Sequence, residues 1–210
     1  MTGFELDAEV YCGDIYDGED RFIGYWHQAR NVLNLKPRDV IEVGIGNGFF
    51  SRYMRECGIE VVTVDFNERL SPKVVGDMLK LPFVDDSADV VCSFEVLEHL
   101  PYDQFVPALL ELKRVSLKYV VVSIPDVSRI FLAHILNYGL FDKWIRIPFP
   151  TQFKIGPHVF NGEHYWEIGK RGYNISRITK DIEKCGLKVI DSYRPNMAPF
   201  FHFFVLEKIL

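Results

Sequence analysis

The fold of this chain of 210 residues is decided by one short stretch, Val40-Ile41-Glu42-Val43-Gly44-Ile45-Gly46-Asn47-Gly48. An apolar strand here runs directly into three glycines at alternate positions. The next segment, Phe49 to Cys57, has the spacing of a helix, and Gly58 is placed to stop it. A strand, a glycine turn and a helix in this order present free backbone N–H groups to a ligand. The stretch therefore predicts a ligand site at the end of the first strand.

Short valine-rich segments alternate with segments of helical spacing on both sides of this stretch. Strands are predicted at 39–43, 60–64, 73–75, 88–94 and 118–124, and helices at 20–34, 49–57 and 102–115. This alternation is typical of an α/β fold, a Rossmann-like doubly wound and mostly parallel sheet.

The C-terminal segment breaks the alternation. A helix is predicted at 176–185, followed by strands at 187–193 and 200–206. Only Arg194 to Pro199 separates these two strands, which is too short for a helical crossover. The last two strands must therefore pair antiparallel.

Composition predicts a single domain over residues 1–210, with an N-terminal helical lead-in over 1–36. The net charge of −5 and the lack of a Lys/Arg run argue against a nucleic-acid partner. The acidic N-terminus and the absence of a long apolar run predict neither a signal peptide nor a transmembrane segment, and hence a cytoplasmic protein. Four scattered cysteines, Cys12, Cys57, Cys92 and Cys185, are expected to be buried reduced thiols, and no metal site is expected.

The glycine spacing distinguishes between two classes of ligand. A dinucleotide fingerprint needs G-x-G-x-x-G, whereas Phe49 follows Gly48 here and Glu42 precedes the first glycine by two residues. A carboxylate in this place suits a ligand with an ammonium group better than a pyrophosphate, although Glu42 could also be an exposed strand residue. Asp65 can accept hydrogen bonds from ribose hydroxyls, and Asp77 can accept one from an adenine amine; either could instead be a turn residue.

The sequence resembles the class I methyltransferases, in particular the broad methyltransferase type 11 group. The resemblance runs from Val40 to Pro101 and rests on Val40 to Gly48, Val62-Thr63-Val64-Asp65, Gly76-Asp77-Met78-Leu79-Lys80-Leu81-Pro82-Phe83 and Asp89-Val90-Val91-Cys92-Ser93-Phe94-Glu95-Val96-Leu97-Glu98-His99-Leu100. It implies a seven-stranded sheet whose last strand is antiparallel, and S-adenosylmethionine as cofactor.

The same resemblance implies a set of cofactor-binding residues. Glu42 and the turn residues Gly44, Ile45, Gly46 and Gly48 would hold the methionine part, Asp65 the ribose, and Asp77 and Met78 the adenine. Phe94 and Glu95 would line the site beyond the fourth strand, and Phe66 is a further cofactor-binding residue.

Two histidines and one long segment are candidates for work on the methyl acceptor. His99 and His164 each follow a glutamate and could act as a general base or position the acceptor, or could be plain structural residues. Residues 126–171 are rich in aromatic side chains, and 127–147 has the pattern of an amphipathic helix broken near Gly139. We interpret 126–171 as a lid or acceptor-binding insertion; a second small core and a membrane-docking segment are the alternatives.

These patterns favour a methyltransferase acting on a small molecule. A protein or lipid-linked acceptor, a non-catalytic S-adenosylmethionine-binding module and a nicotinamide-dependent oxidoreductase are the alternatives, and the glycine spacing speaks against the last of them.

Overall fold

A computed structural model describes residues 18–137, 141–148 and 156–209 of the chain. The helices are α1 (Glu19–Asn34), α2 (Phe49–Glu56), α3 (Phe105–Val115) and α4 (Ile175–Lys184). The strands are β1 (Asp39–Val43), β2 (Glu60–Asp65), β3 (Val74–Val75), β4 (Ala88–Phe94), β5 (Ser116–Pro125), β6 (Ile130–Asn137), β7 (Phe141–Pro148), β8 (Leu187–Tyr193) and β9 (Phe201–Lys208). The helix predicted over 20–34 corresponds to α1, while residues 1–17 of the predicted lead-in lie outside the described residues.

Seven of the strands form one sheet in the order β3-β2-β1-β4-β5-β9-β8. β1 to β5 pair in parallel, whereas β9 runs antiparallel to both of its neighbours. The α/β sheet and its antiparallel last strand, both predicted from the sequence, are confirmed. The strand order changes direction between β1 and β4, and ligands of open α/β sheets bind at the carboxyl ends of the strands at such a point.

Helices cover both faces of the sheet. α1 and α2 pack over one face through Ala29, Val32, Phe50 and Met54. α3 and α4 pack over the other, where Leu109, Leu112, Ile178 and Ile182 are fully buried. Successive residues of β5 alternate between the two layers, with Val121 in one and Val120 and Val122 in the other. A strand covered on both faces explains the continuous valine run in the sequence.

The described residues of 127–147, which are 127–137 and 141–147, contain no helix, so the prediction of an amphipathic helix there was wrong. β6 and β7 form a separate antiparallel hairpin, in which Phe131 lies opposite Ile147 and Ala133 opposite Ile145. β6 is apolar at nearly every position, so one face of the hairpin collects Phe131, Ala133, Ile135, Ile145 and Ile147 while the other also carries apolar side chains. The β-branched and aromatic side chains of both strands favour a hairpin over a helix. Residues 138–140, which include the predicted break at Gly139, are outside the described residues.

The rest of the predicted insertion behaves differently from the hairpin. Trp166 and Ile168 are fully buried in the core below α3, where Trp166 packs against Phe105 at 5.1 Å between ring centroids. The hairpin instead exposes Phe131, Ile135, Ile145 and Ile147. Residues 126–171 therefore contain a buried anchor and an exposed hairpin.

One arginine fastens the start of the hairpin to the sheet. Arg194 donates hydrogen bonds to the carbonyl oxygens of Asp126, Ser128 and Pro199 at 2.8, 3.0 and 2.6 Å. Arg146 of β7 donates a further hydrogen bond, of 2.6 Å, to the side-chain oxygen of Asn196. The base of the hairpin is therefore held to the loop between β8 and β9.

Cys92 and Cys185 are buried as expected, whereas Cys57 is exposed, which corrects the prediction for that residue. Cys57 is the C-terminal cap residue of α2, at an end of the helix that faces away from the core. Cys12 lies outside the described residues. Within the part of the chain that the structure describes, no helix combines the length and apolar character needed to cross a membrane.

Candidate active site

The predicted cofactor residues gather at the carboxyl edge of the sheet. β1 pairs in parallel with β2 and β4, so the glycine turn after β1, Asp65 at the end of β2 and Glu95 after β4 emerge side by side. The turn begins at Gly44, whose N–H donates to the Val64 carbonyl at 2.8 Å. The first strands therefore bring together groups that are separated by many residues in the sequence.

Asp65 pins the glycine turn in place. One carboxylate oxygen accepts the Ile45 N–H at 3.0 Å and the other accepts the Asn67 N–H at 2.9 Å. The side chain is buried, and burial raises the pKa of Asp65 although these N–H donors oppose the shift. Each carboxylate oxygen retains a second lone pair. The residue can thus order the turn and still accept hydrogen bonds from a ligand.

Glu42 is a buried carboxyl group beneath α2. It is 3% exposed, and its Oε2 has no hydrogen-bond partner. Burial raises the pKa of Glu42 to about 8, while Ser51 and Arg55 of α2 lower it. This rules out the alternative of an exposed strand residue. A buried acceptor atom without a donor beside a glycine turn is a place where a ligand's ammonium group would be stabilised.

α1 packs against the turn from outside the sheet. Asn47 in the turn donates through Nδ2 to the Tyr25 hydroxyl at 2.8 Å, and its Oδ1 accepts the Phe49 N–H at 3.0 Å. The Tyr25 ring stacks on Phe49 with 4.6 Å between centroids. α1 therefore stabilises the conformation of the glycine turn, a contribution that the sequence analysis missed.

The remaining predicted cofactor residues occupy different environments. Phe66 is 57% exposed directly after Asp65, so its ring is free to stack on a ligand. Asp77 is exposed and accepts the Leu79 N–H at 2.9 Å, as its alternative interpretation as a turn residue requires. Met78 is buried, and Phe94 packs on Phe50 with 5.1 Å between centroids. Phe94 therefore offers its main chain, rather than its ring, to the site.

The loop after β4 lies against the glycine turn. A methyl group added at Gly44 would come within 2.3 Å of Val96 Cγ2. Glu95, the residue before Val96, has a left-handed φ of 54°, and its Oε1 is buried without a partner. Burial raises the pKa of Glu95 to about 7. The loop at 95–99 and the turn therefore form one continuous surface.

His99 and His164, the two predicted base candidates, come together beside this loop. Their rings are 5.0 Å apart, and each Nε2 lies 4.0 Å from Oε1 of Glu98. Burial and the neighbouring His164 lower the pKa of His99. Glu98 is 0% exposed, and neither of its carboxylate oxygens has a hydrogen-bond partner.

Glu98 and Glu167 are the two residues of this cluster that sequence reasoning did not assign. The first is adjacent to His99 in a quoted motif and could have been noticed there. Glu167 holds His164 through a contact of 2.9 Å between its Oε1 and the imidazole Nδ1. No sequence signal connects Glu167 and His164 with the loop after β4, because these parts of the chain come together only when it folds.

Part of the chain is similar in sequence to known proteins. Residues 41–118 match the family described as "Methyltransferase domain". A Mycolicibacterium smegmatis protein named "Probable S-adenosylmethionine-dependent methyltransferase" is 31% identical over 38% of this chain and 37% of its own. The demethylmenaquinone methyltransferase of Mycobacterium marinum is 33% identical over 47% of this chain and 45% of its own. The chain thus spans less than half the length of either relative.

The similarity of fold extends further than the similarity of sequence. The CcbJ methyltransferase of Streptomyces caelestis superposes with a TM-score of 0.66 over 100% of this chain and 99% of its own, at 16% identity. At this identity the likeness concerns the fold, and it includes the segments outside residues 41–118.

Proposed function

We propose that this chain, which belongs to the class I methyltransferase family, is an S-adenosylmethionine-dependent methyltransferase that acts on a small-molecule acceptor. The observation that carries the proposal is the glycine turn pinned by Asp65 with the unpartnered carboxyl group of Glu42 beneath it. These two groups match a ribose and an ammonium group, and S-adenosylmethionine carries both.

The proposed cofactor contacts follow the order of the strands. Glu42 and the turn residues bind the methionine part, Asp65 the ribose, and Phe66, Asp77 and Met78 the adenine. Phe94 and Glu95 close the site from β4. Asp65 is already ordered by two N–H donors, so little side-chain freedom is lost when the ribose binds.

Binding of S-adenosylhomocysteine at pH 7 should release close to one proton per ligand. The pKa of Glu42 is about 8 in the free protein, so the group is mostly protonated at this pH. A nearby ammonium group favours the carboxylate, lowers this pKa and expels the proton. Calorimetric titration in buffers of different ionisation enthalpy measures the number released.

Two controls test whether the released proton comes from Glu42. The Glu42→Gln variant should release no proton, and neither should 5′-methylthioadenosine, which lacks the amino-acid tail. The raised pKa also predicts that the wild-type protein loses stability as the pH rises toward 8, because the folded state binds the proton more tightly than the unfolded state. Glu42→Gln should reduce this slope and leave the part that comes from Glu95, whose pKa is raised to about 7. Equal proton release by both proteins would contradict the assignment.

In methyl transfer the protein itself takes little part in the covalent chemistry. A lone pair on the acceptor forms the new bond to the methyl carbon while the C–S bond breaks, and the sulfur keeps that electron pair. The protein must align the acceptor, exclude water and take a proton when the acceptor carries one. In this proposal His99 and His164 serve the acceptor, since both lie in the loop region beside the turn.

The hairpin is the proposed acceptor-binding lid. Trp144 of β7, Ile23 of α1 and Met197 line an open groove of about 560 Å³. The apolar side chains of Trp144, Ile23 and Met197 in this groove suit an acceptor with an apolar or aromatic part. The named substrate class of the M. marinum relative, a quinone, supports a small apolar molecule.

Excision of residues 130–148, closed by a glycine linker, should abolish methyl transfer and leave S-adenosylhomocysteine binding unchanged. The hairpin forms its own sheet, and the proposed cofactor residues lie outside it. The measurement is transfer of labelled methyl from S-adenosylmethionine into small molecules of a cell extract, with Gly44→Ala, which should not bind the cofactor, as the inactive control. Full transfer after excision would refute the lid. An intact protein that binds the cofactor and transfers nothing would be a non-catalytic binding module.

A further inference from the structure

Three potential metal ligands converge beside the glycine turn. Suitable donor atoms of Glu98, His99 and His164 all lie within 4.8 Å of one another. Oε1 of Glu98 is 4.0 Å from Nε2 of each histidine. Adjacent ligands at about 2.1 Å from one ion are roughly 3 Å apart, so closure by about 1 Å would complete the site.

The hydrogen bonds of the two imidazoles fix which nitrogen faces the cluster. Nδ1 of His99 lies 3.0 Å from the Glu163 carbonyl oxygen, and Nδ1 of His164 lies 2.9 Å from Oε1 of Glu167. Both partners are acceptors, so each Nδ1 is the donor. Each neutral ring therefore directs the lone pair of its Nε2 toward Glu98.

Glu98 makes this arrangement incomplete without a cation. Its side chain is 0% exposed, and both of its carboxylate oxygens lack a hydrogen-bond partner. Buried charges are paired or bind metals, and here the Nε2 lone pairs of two imidazoles face one buried carboxylate.

We propose that Glu98, His99 and His164 bind a divalent first-row metal ion. Sequence reasoning expected no metal, because the donors come from two distant segments and no Cys/His cluster occurs. Mixed imidazole and carboxylate donors suit Mn²⁺, Fe²⁺ or Zn²⁺ better than Ca²⁺. Glu167 and the Glu163 carbonyl orient the two histidines, as partners of metal-bound imidazoles commonly do.

The position of the site suggests its role, which rests on the proposed function. Val96, between Glu95 and Glu98, packs directly against Gly44 of the cofactor turn. An ion here would bind an acceptor hydroxyl and favour loss of its proton to water, leaving an oxygen lone pair for the methyl carbon. The acceptor class would then be a hydroxyl compound, and the reaction an O-methylation.

The test measures metal binding directly on the full chain. Titration with Mn²⁺, followed by loss of the free-ion electron paramagnetic resonance signal, should give one site per chain. Glu98→Gln and His164→Gln should weaken this site by about 100-fold or more. The matched control is His134→Gln, since His134 is an exposed imidazole 2.7 Å from a single carboxylate, that of Asp142. It should bind Mn²⁺ as the wild type does.

Thermal melting separates loss of the site from loss of the fold. Mn²⁺ should raise the wild-type melting temperature and leave that of Glu98→Gln unchanged. Without metal, Glu98→Gln should be at least as stable as the wild type, because it removes a buried unpartnered carboxylate. Wild-type protein that binds S-adenosylhomocysteine but no Mn²⁺ would overturn the metal site and leave the proposed function intact. Mn²⁺ binding without S-adenosylhomocysteine binding would support the metal site and overturn the proposed function.

Discussion

Replacing Gly44 by alanine should abolish binding of S-adenosylhomocysteine and destabilise the fold by about 3 kcal/mol. Gly44 has a φ of +89°, and an added Cβ would lie 2.3 Å from Cγ2 of Val96. The variant therefore combines left-handed backbone strain with a clash against the loop after β4. Relief of either one moves the turn away from the carboxylate of Asp65. Calorimetry gives the affinity, and urea denaturation gives the free energy of unfolding.

Gly58 provides a matched control for the strain alone. Its φ is +83°, but an added Cβ would meet nothing within 4 Å. Gly58→Ala should cost roughly 1–2 kcal/mol of stability and leave the affinity unchanged. The double variant Gly44→Ala with Val96→Ala removes the clash and should recover part of the binding. If Gly44→Ala lost no more stability and affinity than Gly58→Ala, the close approach of Val96 would not explain why the turn needs a glycine at position 44.

Replacing Asp65 by asparagine should weaken S-adenosylhomocysteine binding about 100-fold, or roughly 3 kcal/mol. The amide keeps the shape of the side chain, yet one of its two ends now carries N–H groups. That end faces the N–H of Ile45 or of Asn67, so one bond that orders the turn is replaced by a repulsive contact. Hydrogen bonds from the ribose to a charged acceptor are lost as well. Calorimetric titration measures the change.

Asp89 gives a control of the same chemistry at the other end of the sheet. It lies at the start of β4 and forms an exposed ion pair with Arg38, 3.2 Å from its Nε. Asp89→Asn should leave ligand affinity unchanged and cost less than about 1 kcal/mol of stability. Wild-type affinity in Asp65→Asn would remove Asp65 from the cofactor site.

Local sequence was sufficient to predict the first half of the fold. The strand before Gly44 and the helix after Gly48 are each specified by residues within a few positions of one another. The antiparallel pairing of the last two strands followed from chain length alone, because the seven residues between β8 and β9 cannot hold a crossover helix. These predictions needed no knowledge of distant contacts.

The segment at 127–147 could not be predicted in the same way. Apolar residues are nearly continuous over 130–136, and a short apolar run does not decide between a helix and a strand. Pairing of Phe131 with Ile147 across a turn decided the outcome. Cross-strand contacts are formed between residues far apart in the chain, which a helical pattern does not consider.

Some residues of the candidate site could be placed from the sequence, and others could not. Asp65 was predictable because parallel strands end at a common edge, and its contact with Ile45 follows from that rule. The contact between His99 and His164 was not predictable, because it depends on how Trp166 and Ile168 hold the chain next to His164 in the core. The unpartnered state of Glu98 is likewise a property of burial that its neighbours in sequence do not reveal.

The insertion of β9 between β5 and β8 determines how the sheet meets other molecules. It leaves β3 and β8 as the outer strands, and β3 has only two residues. β8 carries Lys188 and Asp191, and its pairing shifts register at Ile190. Short, charged and irregular borders discourage the addition of a foreign strand, which is the usual start of sheet-mediated aggregation. We therefore expect self-association of this protein, where it occurs, to use the apolar face of the hairpin and not the borders of the sheet.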